Sequence, residues 1–83
     1  MKKKSTKDIH STIIRIFAKT LGVKPVNITP STAYNSHPKW DSLKHLEIVS
    51  NLESAFKIDI DMEDVIDMST VKKVESIVTR LLS

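Results

Sequence analysis

Hydrophobic residues recur at steps of three and four positions in three segments of the chain, which is the pattern of an amphipathic α-helix. In the first segment these positions are Ile9, Ile13, Ile16, Phe17 and Leu21. Gly22 follows directly, and a glycine at this point is typical of the left-handed residue that ends a helix. The pattern predicts a first helix over residues 7–21.

The second segment begins at Ser42 and repeats the same spacing. Its hydrophobic positions are Leu43, Leu46, Val49, Leu52 and Phe56, and the polar residues Glu47, Asn51 and Glu53 lie off that stripe. This pattern predicts a second helix over residues 42–56, with Asp41 or Ser42 as its N-terminal cap.

A third stripe near the end of the sequence predicts a closing helix over residues 70–82, capped by Ser69 or Thr70. Its members are Val71, Val74, Ile77, Val78, Leu81 and Leu82. Before it, Asp61 can cap a short helix to which Val65, Ile66 and Met68 contribute apolar contacts. Residues 58–60 alternate for too few positions to form a strand. The predicted fold class is all-α, a small four-helix bundle whose third helix is short.

The connection between the first two helices covers residues 22–41 and contains all three prolines, Pro25, Pro30 and Pro38, which exclude a long helix there. A loop of this length in so small a protein indicates a function. Its apolar residues predict that it packs across the bundle; they are Val23, Val26, Ile28 and Tyr34. Trp40, just before the second helix, is predicted to pack near Leu43 or Lys44 as a hydrophobic staple.

The length of 83 residues supports one small core, so we expect a single domain over residues 1–83 with a frayed basic terminus at residues 1–5. The chain has no cysteine, which excludes disulfides, thiol nucleophiles and thiolate metal sites. The lysine-rich start is not followed by an uninterrupted apolar stretch, and no apolar run reaches membrane-spanning length. We expect a cytoplasmic monomer without membrane insertion.

Charge is distributed unevenly along the chain. Residues 1–25 contain seven Lys or Arg and one Asp, a net charge of +6, whereas residues 41–67 contain eight acids and two lysines, a net charge of −6. The acidic segment contains Ser42, so a partner that binds there is expected to present a basic surface. A basic terminus on an acidic body argues against nucleic-acid binding.

Ser42 can be interpreted in two ways from local chemistry. A serine at the start of a helix is most often a cap. The same position also favours an anion, because the first amide N–H groups lack partners within the helix and the helix dipole is positive there. A phosphate on Ser42 would therefore be stabilised, although Asp41 next to it would repel the anion. The local residues alone favour the cap.

Residues 40–56, WDSLKHLEIVSNLESAF, resemble the acyl and peptidyl carrier protein family. In that family a D-S-L segment opens the second helix, and an apolar residue, an acid, two apolar residues, L-E and an aromatic residue follow. The corresponding positions here are Leu46, Glu47, Ile48, Val49, Leu52, Glu53 and Phe56. The resemblance extends over nearly the whole chain, through the first helix, the long loop, the short third helix and the closing helix.

The resemblance implies that the Ser42 hydroxyl receives 4′-phosphopantetheine from coenzyme A, transferred by a separate phosphopantetheinyl transferase that recognises Asp41. The thiol of this arm would hold an acyl or aminoacyl group as a thioester, and the protein itself would not be an enzyme. The partner-binding positions would be Leu43, Leu46, Glu47 and Glu53, meeting a loading ligase and a downstream transferase or synthase with a basic docking surface.

Several positions depart from the fatty-acid members of the family. They are Lys39, Trp40, Lys44, Ser50, Ser54, Ala55 and Lys57. These differences favour a dedicated carrier in a specialised biosynthetic pathway over general fatty-acid synthesis. A cargo pocket could be lined by Ile60, Val65, Met68, Val74 and Ile77, although the same residues also suit an ordinary hydrophobic core.

Other interpretations remain open. His45 lies three residues after Ser42, so a Ser-His nucleophile is conceivable, but no third orienting group is evident. His37, Asp41 and His45 have a spacing that could bring metal ligands together, yet no further ligand is evident, and a solvated His45 with no bound metal is the plainer expectation. The alternative function is a small helical module for protein–protein or nucleic-acid interaction, without a prosthetic group.

Overall fold

The computed structural model describes residues 6–34 and 37–82, with side chains from Asp8 onward. Over this part of the chain it contains four α-helices, which are α1 (Thr6–Leu21), α2 (Ser42–Phe56), α3 (Met62–Asp67) and α4 (Val71–Leu82). A single 3₁₀ turn, Pro25–Asn27, lies in the long loop. The all-α prediction is confirmed, and the limits of the predicted helices agree within one or two residues. The predicted frayed terminus, residues 1–5, lies outside the described residues.

The hydrophobic stripes of α1, α2 and α4 meet in one core, where α1 packs against both α2 and α4. The fully buried members of this core are Ile13, Phe17, Trp40, Ile48, Leu52, Met68, Val71, Val74 and Val78. The predicted stripe of α2 is wrong in its first half, because Leu43 and Leu46 are exposed and Ile48 is buried in their place. The side of α2 that meets the core carries Ile48, Leu52 and Phe56, which are four residues apart. No helix in the described residues is long and apolar enough to cross a membrane.

Two helices end on residues with left-handed backbone conformation. Gly22 has φ of 70° after α1, as its position in the sequence predicts. Lys57 has φ of 54° and ends α2, where its N–H donates to the Glu53 carbonyl. A residue with a side chain costs about 1–2 kcal/mol in this conformation, so the α2 end is held by its packing and not by a local glycine signal.

The first turns of α3 and α4 are capped by side chains. Asp61 Oδ1 accepts from the Asp64 N–H at 3.0 Å, as predicted for the short helix. Thr70 Oγ1 accepts from the Lys73 N–H at 3.1 Å, so Thr70 and not Ser69 caps α4. Each cap satisfies an amide that has no partner within its own helix.

The long loop binds the start of α4 through its backbone. The Tyr34 N–H donates to the Ser69 carbonyl at 2.9 Å, and the Val71 N–H donates to the Thr32 carbonyl at 3.0 Å. Ala33 and Thr70 form an isolated antiparallel bridge, and the described residues contain no β-strand. The loop is therefore attached to the bundle at the point where α4 begins.

The prediction that the loop packs across the bundle is confirmed for most of its apolar residues. Ile28 is buried, and Val23 and Tyr34 are partly buried against the core. The prediction is wrong for Val26, which is 81% exposed because it lies in the 3₁₀ turn on the surface.

Candidate functional site at the start of α2

At the N-terminus of α2, the helix cap and the candidate attachment point are different residues. Asp41 has an extended backbone, and its Oδ1 accepts from the Lys44 N–H at 2.9 Å. Its carbonyl accepts from the His45 N–H at 2.8 Å, which is the first hydrogen bond of the helix. Ser42 is the first helical residue and is exposed. Asp41 performs the capping, so the Ser42 hydroxyl is not needed for it.

The hydroxyl of Ser42 contacts the long loop. Ser42 Oγ lies 2.9 Å from the Tyr34 hydroxyl oxygen, a hydrogen bond in which either oxygen can be the donor. Nothing in the sequence predicts this contact, because Tyr34 is eight residues earlier and in a loop with no regular spacing. The pairing depends on the backbone bonds that hold the loop against α4.

Trp40 belongs to the core and also packs on the first turn of α2. Its side chain is 1% exposed and meets Phe17 of α1 edge to face, with 4.9 Å between ring centroids. The prediction that it packs near Leu43 or Lys44 is wrong in the partner, because the indole stacks on His45, with 5.8 Å between centroids and an interplanar angle of 29°. This is the helix position at which a staple contact is made.

His45 connects three parts of the structure through its ring. Its Nδ1 accepts from the Trp40 indole N–H at 3.0 Å, and its Nε2 lies 2.8 Å from the Val65 carbonyl oxygen. An indole N–H can only donate and a carbonyl can only accept, so these partners select the neutral imidazole with its hydrogen on Nε2. The expectation of a solvated His45 is wrong, because the ring joins the loop, α2 and α3.

The contacts of His45 also bear on two of the other interpretations. Both ring nitrogens have partners within the protein, so His45 does not act on the Ser42 hydroxyl. His37 Nδ1 accepts from the Lys39 N–H at 3.2 Å. Among the described residues, His, Asp and Glu side chains do not gather in groups of three that could hold a metal ion.

Four large apolar side chains are exposed on α2 and α3. They are Leu43, Leu46, Met62 and Ile66, with exposed fractions between 58% and 71%. Leu43 and Leu46 are among the predicted partner-binding positions, although the helical pattern also places them on the hydrophobic stripe of α2. Met62 is not among the predicted positions, and the expectation that Ile66 packs inward is wrong. Val65 and Met68, three residues apart, face the core, and Ile66 lies off that line.

The two acids predicted to bind partners differ in their surroundings. Glu47 is exposed, and its Oε2 lies 3.4 Å from Lys44 Nζ, a solvent-screened pair. Glu53 is partly buried, and its Oε2 accepts from the Ile60 N–H at 2.9 Å. Glu47 is available to a partner, whereas the Glu53 carboxylate already supports the segment between α2 and α3.

The residues predicted to line a cargo pocket belong to the hydrophobic core or pack against it. Ile60, Met68 and Val74 are buried, and Val65 and Ile77 are partly buried at its edge. This placement agrees with their interpretation as core residues. A cargo pocket among them stays a prediction.

Comparisons with known proteins agree with this architecture. The family model described as the phosphopantetheine attachment site matches residues 11–78. The fold is similar to the solution NMR structure of the holo acyl carrier protein from Geobacter metallireducens, with a TM-score of 0.78 and 23% sequence identity. That similarity covers 89% of this chain and 85% of the other, and at this identity it shows the fold. Because the family model spans most of the chain, the protein belongs to the phosphopantetheine attachment site family, the non-catalytic carriers with a covalent 4′-phosphopantetheine.

Proposed function

We propose that Ser42 carries the 4′-phosphopantetheine arm and that the protein presents an acyl or aminoacyl thioester to partner enzymes of a specialised biosynthetic pathway. The observation that supports this most is the separation of roles at the start of α2. Asp41 caps the helix through the Lys44 N–H, and the neighbouring Ser42 is exposed and does not act as the cap. An enzyme can therefore modify Ser42 without removing the helix cap.

Attachment requires one phosphoryl transfer from coenzyme A. The Ser42 Oγ forms a bond to the phosphorus that carries pantetheine, and the bond from that phosphorus to adenosine 3′,5′-bisphosphate breaks. The leaving group takes the electron pair, and a general base of the transferase takes the serine proton. The product is an anionic phosphodiester at the first residue of α2, where the helix dipole favours negative charge.

The side chains around Ser42 fit this group. Asp41 is adjacent to Ser42, but the Asp41 Oδ1 accepts a hydrogen bond from the Lys44 N–H. Part of the negative charge of Asp41 is therefore stabilised by the helix end. Leu43 and Leu46 extend into solvent on the following turn. The site thus offers an accessible hydroxyl, an anion-stabilising helix end and apolar surface for a partner.

We define the docking face as Leu43, Leu46 and Glu47, all exposed on the first half of α2. A partner with a basic surface would bury the two leucines and pair with Glu47. Glu53 contributes less to this face, because its carboxylate binds the Ile60 N–H. Lys44 on the same half of α2 departs from acidic fatty-acid carriers, which supports a dedicated partner.

The attachment site is tested by intact-protein mass spectrometry after incubation of the apo protein with coenzyme A and a broad-specificity phosphopantetheinyl transferase. One added phosphopantetheine is expected on the wild type, and none on Ser42→Ala. Ser50→Ala, at an exposed serine of the same helix, is the matched control and should be modified like the wild type. Modification of Ser42→Ala would show that the site is assigned to the wrong residue.

The docking face is tested by reversing one charge. Glu47→Lys is expected to lower the kcat/KM of loading by about tenfold at low ionic strength, because a basic partner then meets a like charge. Asp59→Lys, at an exposed position in the loop before α3, makes the same change in total charge and is the control. Equal effects of the two substitutions would attribute the loss to total charge and reject the docking face.

A further inference from the structure

Tyr34 is the loop residue whose side chain reaches Ser42, and its position is fixed by contacts with three other residues. Its N–H donates to the Ser69 carbonyl just before α4. Its ring meets Trp40 edge to face, with 6.1 Å between centroids and an interplanar angle of 85°. It also lies at 5.5 Å from the His45 ring of α2. The backbone hydrogen bond to Ser69 and the ring contacts with Trp40 and His45 therefore place the Tyr34 hydroxyl beside Ser42.

The partners of Tyr34 are themselves held in place. Trp40 is buried against Phe17, and its indole N–H donates to His45. His45 in turn reaches the Val65 carbonyl of α3. None of these contacts involves the Ser42 side chain, so modification of Ser42 does not by itself remove the contacts that hold Tyr34.

The chemistry of this hydrogen bond changes when Ser42 is modified. In the free protein, either hydroxyl can donate across the 2.9 Å between the two oxygens. Once Ser42 Oγ is esterified it has no hydrogen, so Tyr34 alone can donate. The non-bridging phosphate oxygens lie two bonds from Oγ and carry the negative charge, which makes them stronger acceptors than the esterified Oγ.

We propose that Tyr34 is a positioning residue for the prosthetic group, and that its hydroxyl donates a hydrogen bond to the phosphodiester formed on Ser42. The inference rests on the proposed attachment at Ser42. This hydrogen bond would restrict the orientation of the arm, because a phosphodiester bound to the loop on one side has fewer directions in which the arm can extend from the protein. The reach of the arm is then biased by this chain's own loop before any partner binds.

The test uses the fact that the chain contains one tyrosine. Protein labelled with carbon-13 at the tyrosine Cζ gives one resonance, which responds to hydrogen bonding at the phenolic oxygen. It is recorded for the apo wild type, for Ser42→Ala, and for the wild type loaded with phosphopantetheine. Ser42→Ala shows where the resonance lies when the serine partner is absent.

The resonance of the loaded protein is expected downfield of the apo protein, because the phosphodiester is a stronger acceptor than a serine hydroxyl. In Ser42→Ala it is expected to move the other way. If the resonance of the loaded protein coincides with that of Ser42→Ala, the arm has displaced Tyr34 and the proposal is wrong.

A second measurement observes the phosphodiester directly. The phosphorus NMR resonance of loaded Tyr34→Phe, which loses only the hydroxyl, is expected to differ from that of the loaded wild type. Loaded Ser50→Ala is the control and should match the wild type. Coincident resonances of wild type and Tyr34→Phe would overturn the proposal, and the Cζ measurement decides it separately if Tyr34→Phe is not loaded. Absence of any modification on the wild type would instead reject the attachment itself.

Discussion

Helices α3 and α4 are neighbours in the sequence and in space, but different forces hold them. Val71, Val74 and Val78 attach α4 to the core, and all three are fully buried. None of the six residues of α3, all of which the structure describes, is buried. The helix is held by the Asp61 cap, by His45 bound to the Val65 carbonyl, and by Arg80 bound to Asp64 at 2.6 Å.

The difference shows which helix can move at low cost. Removing α4 from its place exposes core side chains, and that cost is part of global unfolding. Removing α3 exposes the partly buried Val65, and the other contacts that it breaks are polar ones that water can replace in part. Opening of α3 is therefore expected to need less free energy than opening of α4, and amide hydrogen exchange measures both in one experiment.

The largest effect is expected from the same substitution made in each helix. Val74→Ala should lower the free energy of unfolding by about 2–3 kcal/mol, because it leaves a cavity at a fully buried position. Val65→Ala in α3, at a partly buried position, should cost about 1 kcal/mol. Chemical denaturation of the two variants measures the difference, and equal losses would contradict the contrast between the helices.

A smaller effect is expected when the polar link to α3 is removed. His45→Phe keeps an aromatic ring but leaves the Trp40 indole N–H without its acceptor, at a cost of about 1–2 kcal/mol. The Val65 carbonyl loses its bond to His45 and keeps the Met68 N–H as a donor at 3.4 Å. Amides of α3 should exchange faster in this variant, and amides of α4, which exchange through global unfolding, should lose the same free energy of protection. If α4 loses protection and α3 does not, the contacts of His45 are still made when α3 opens, and the ring supports the core and not α3 in particular.

The smallest effect is expected at the ion pair between α3 and α4. Arg80→Met should cost about 1 kcal/mol, because solvent screens the 60% exposed arginine, although the Asp64 side chain is only 13% exposed. The loss should shrink as salt is added, since the wild-type pair weakens with ionic strength. A loss of unfolding free energy that is larger than this and independent of salt would contradict the prediction. It would mean that the ion pair contributes stability that is here attributed to the core.

The sequence predicts α2 to the residue and α4 to within one, because both have long regular stripes and capping side chains. It also predicts the turn at Gly22. It does not predict the left-handed backbone of Lys57 after α2, since no glycine marks that position. Regular elements follow from local spacing, and irregular ones depend on contacts between distant residues.

The same limit applies to the site. The candidate residues Ser42, Leu43 and Leu46 come from the resemblance of residues 40–56 to a carrier protein family, because the local residues alone favour a helix cap. The contacts of Tyr34, Trp40 and His45 are not, because each joins residues from different elements. A tryptophan before a helix suggests a staple, and only the space beside Phe17 shows that the ring turns inward.

The ring cluster beside Ser42 also makes the protein its own optical sensor. The chain has one tryptophan and one tyrosine, and their rings are in contact. Trp40 is hydrogen-bonded to His45, and Tyr34 is hydrogen-bonded to Ser42. Excitation of the indole alone thus reports from a single buried site, one side chain away from the serine. Fluorescence of the unlabelled protein can follow events at Ser42 as they occur, without a dye and without a substitution.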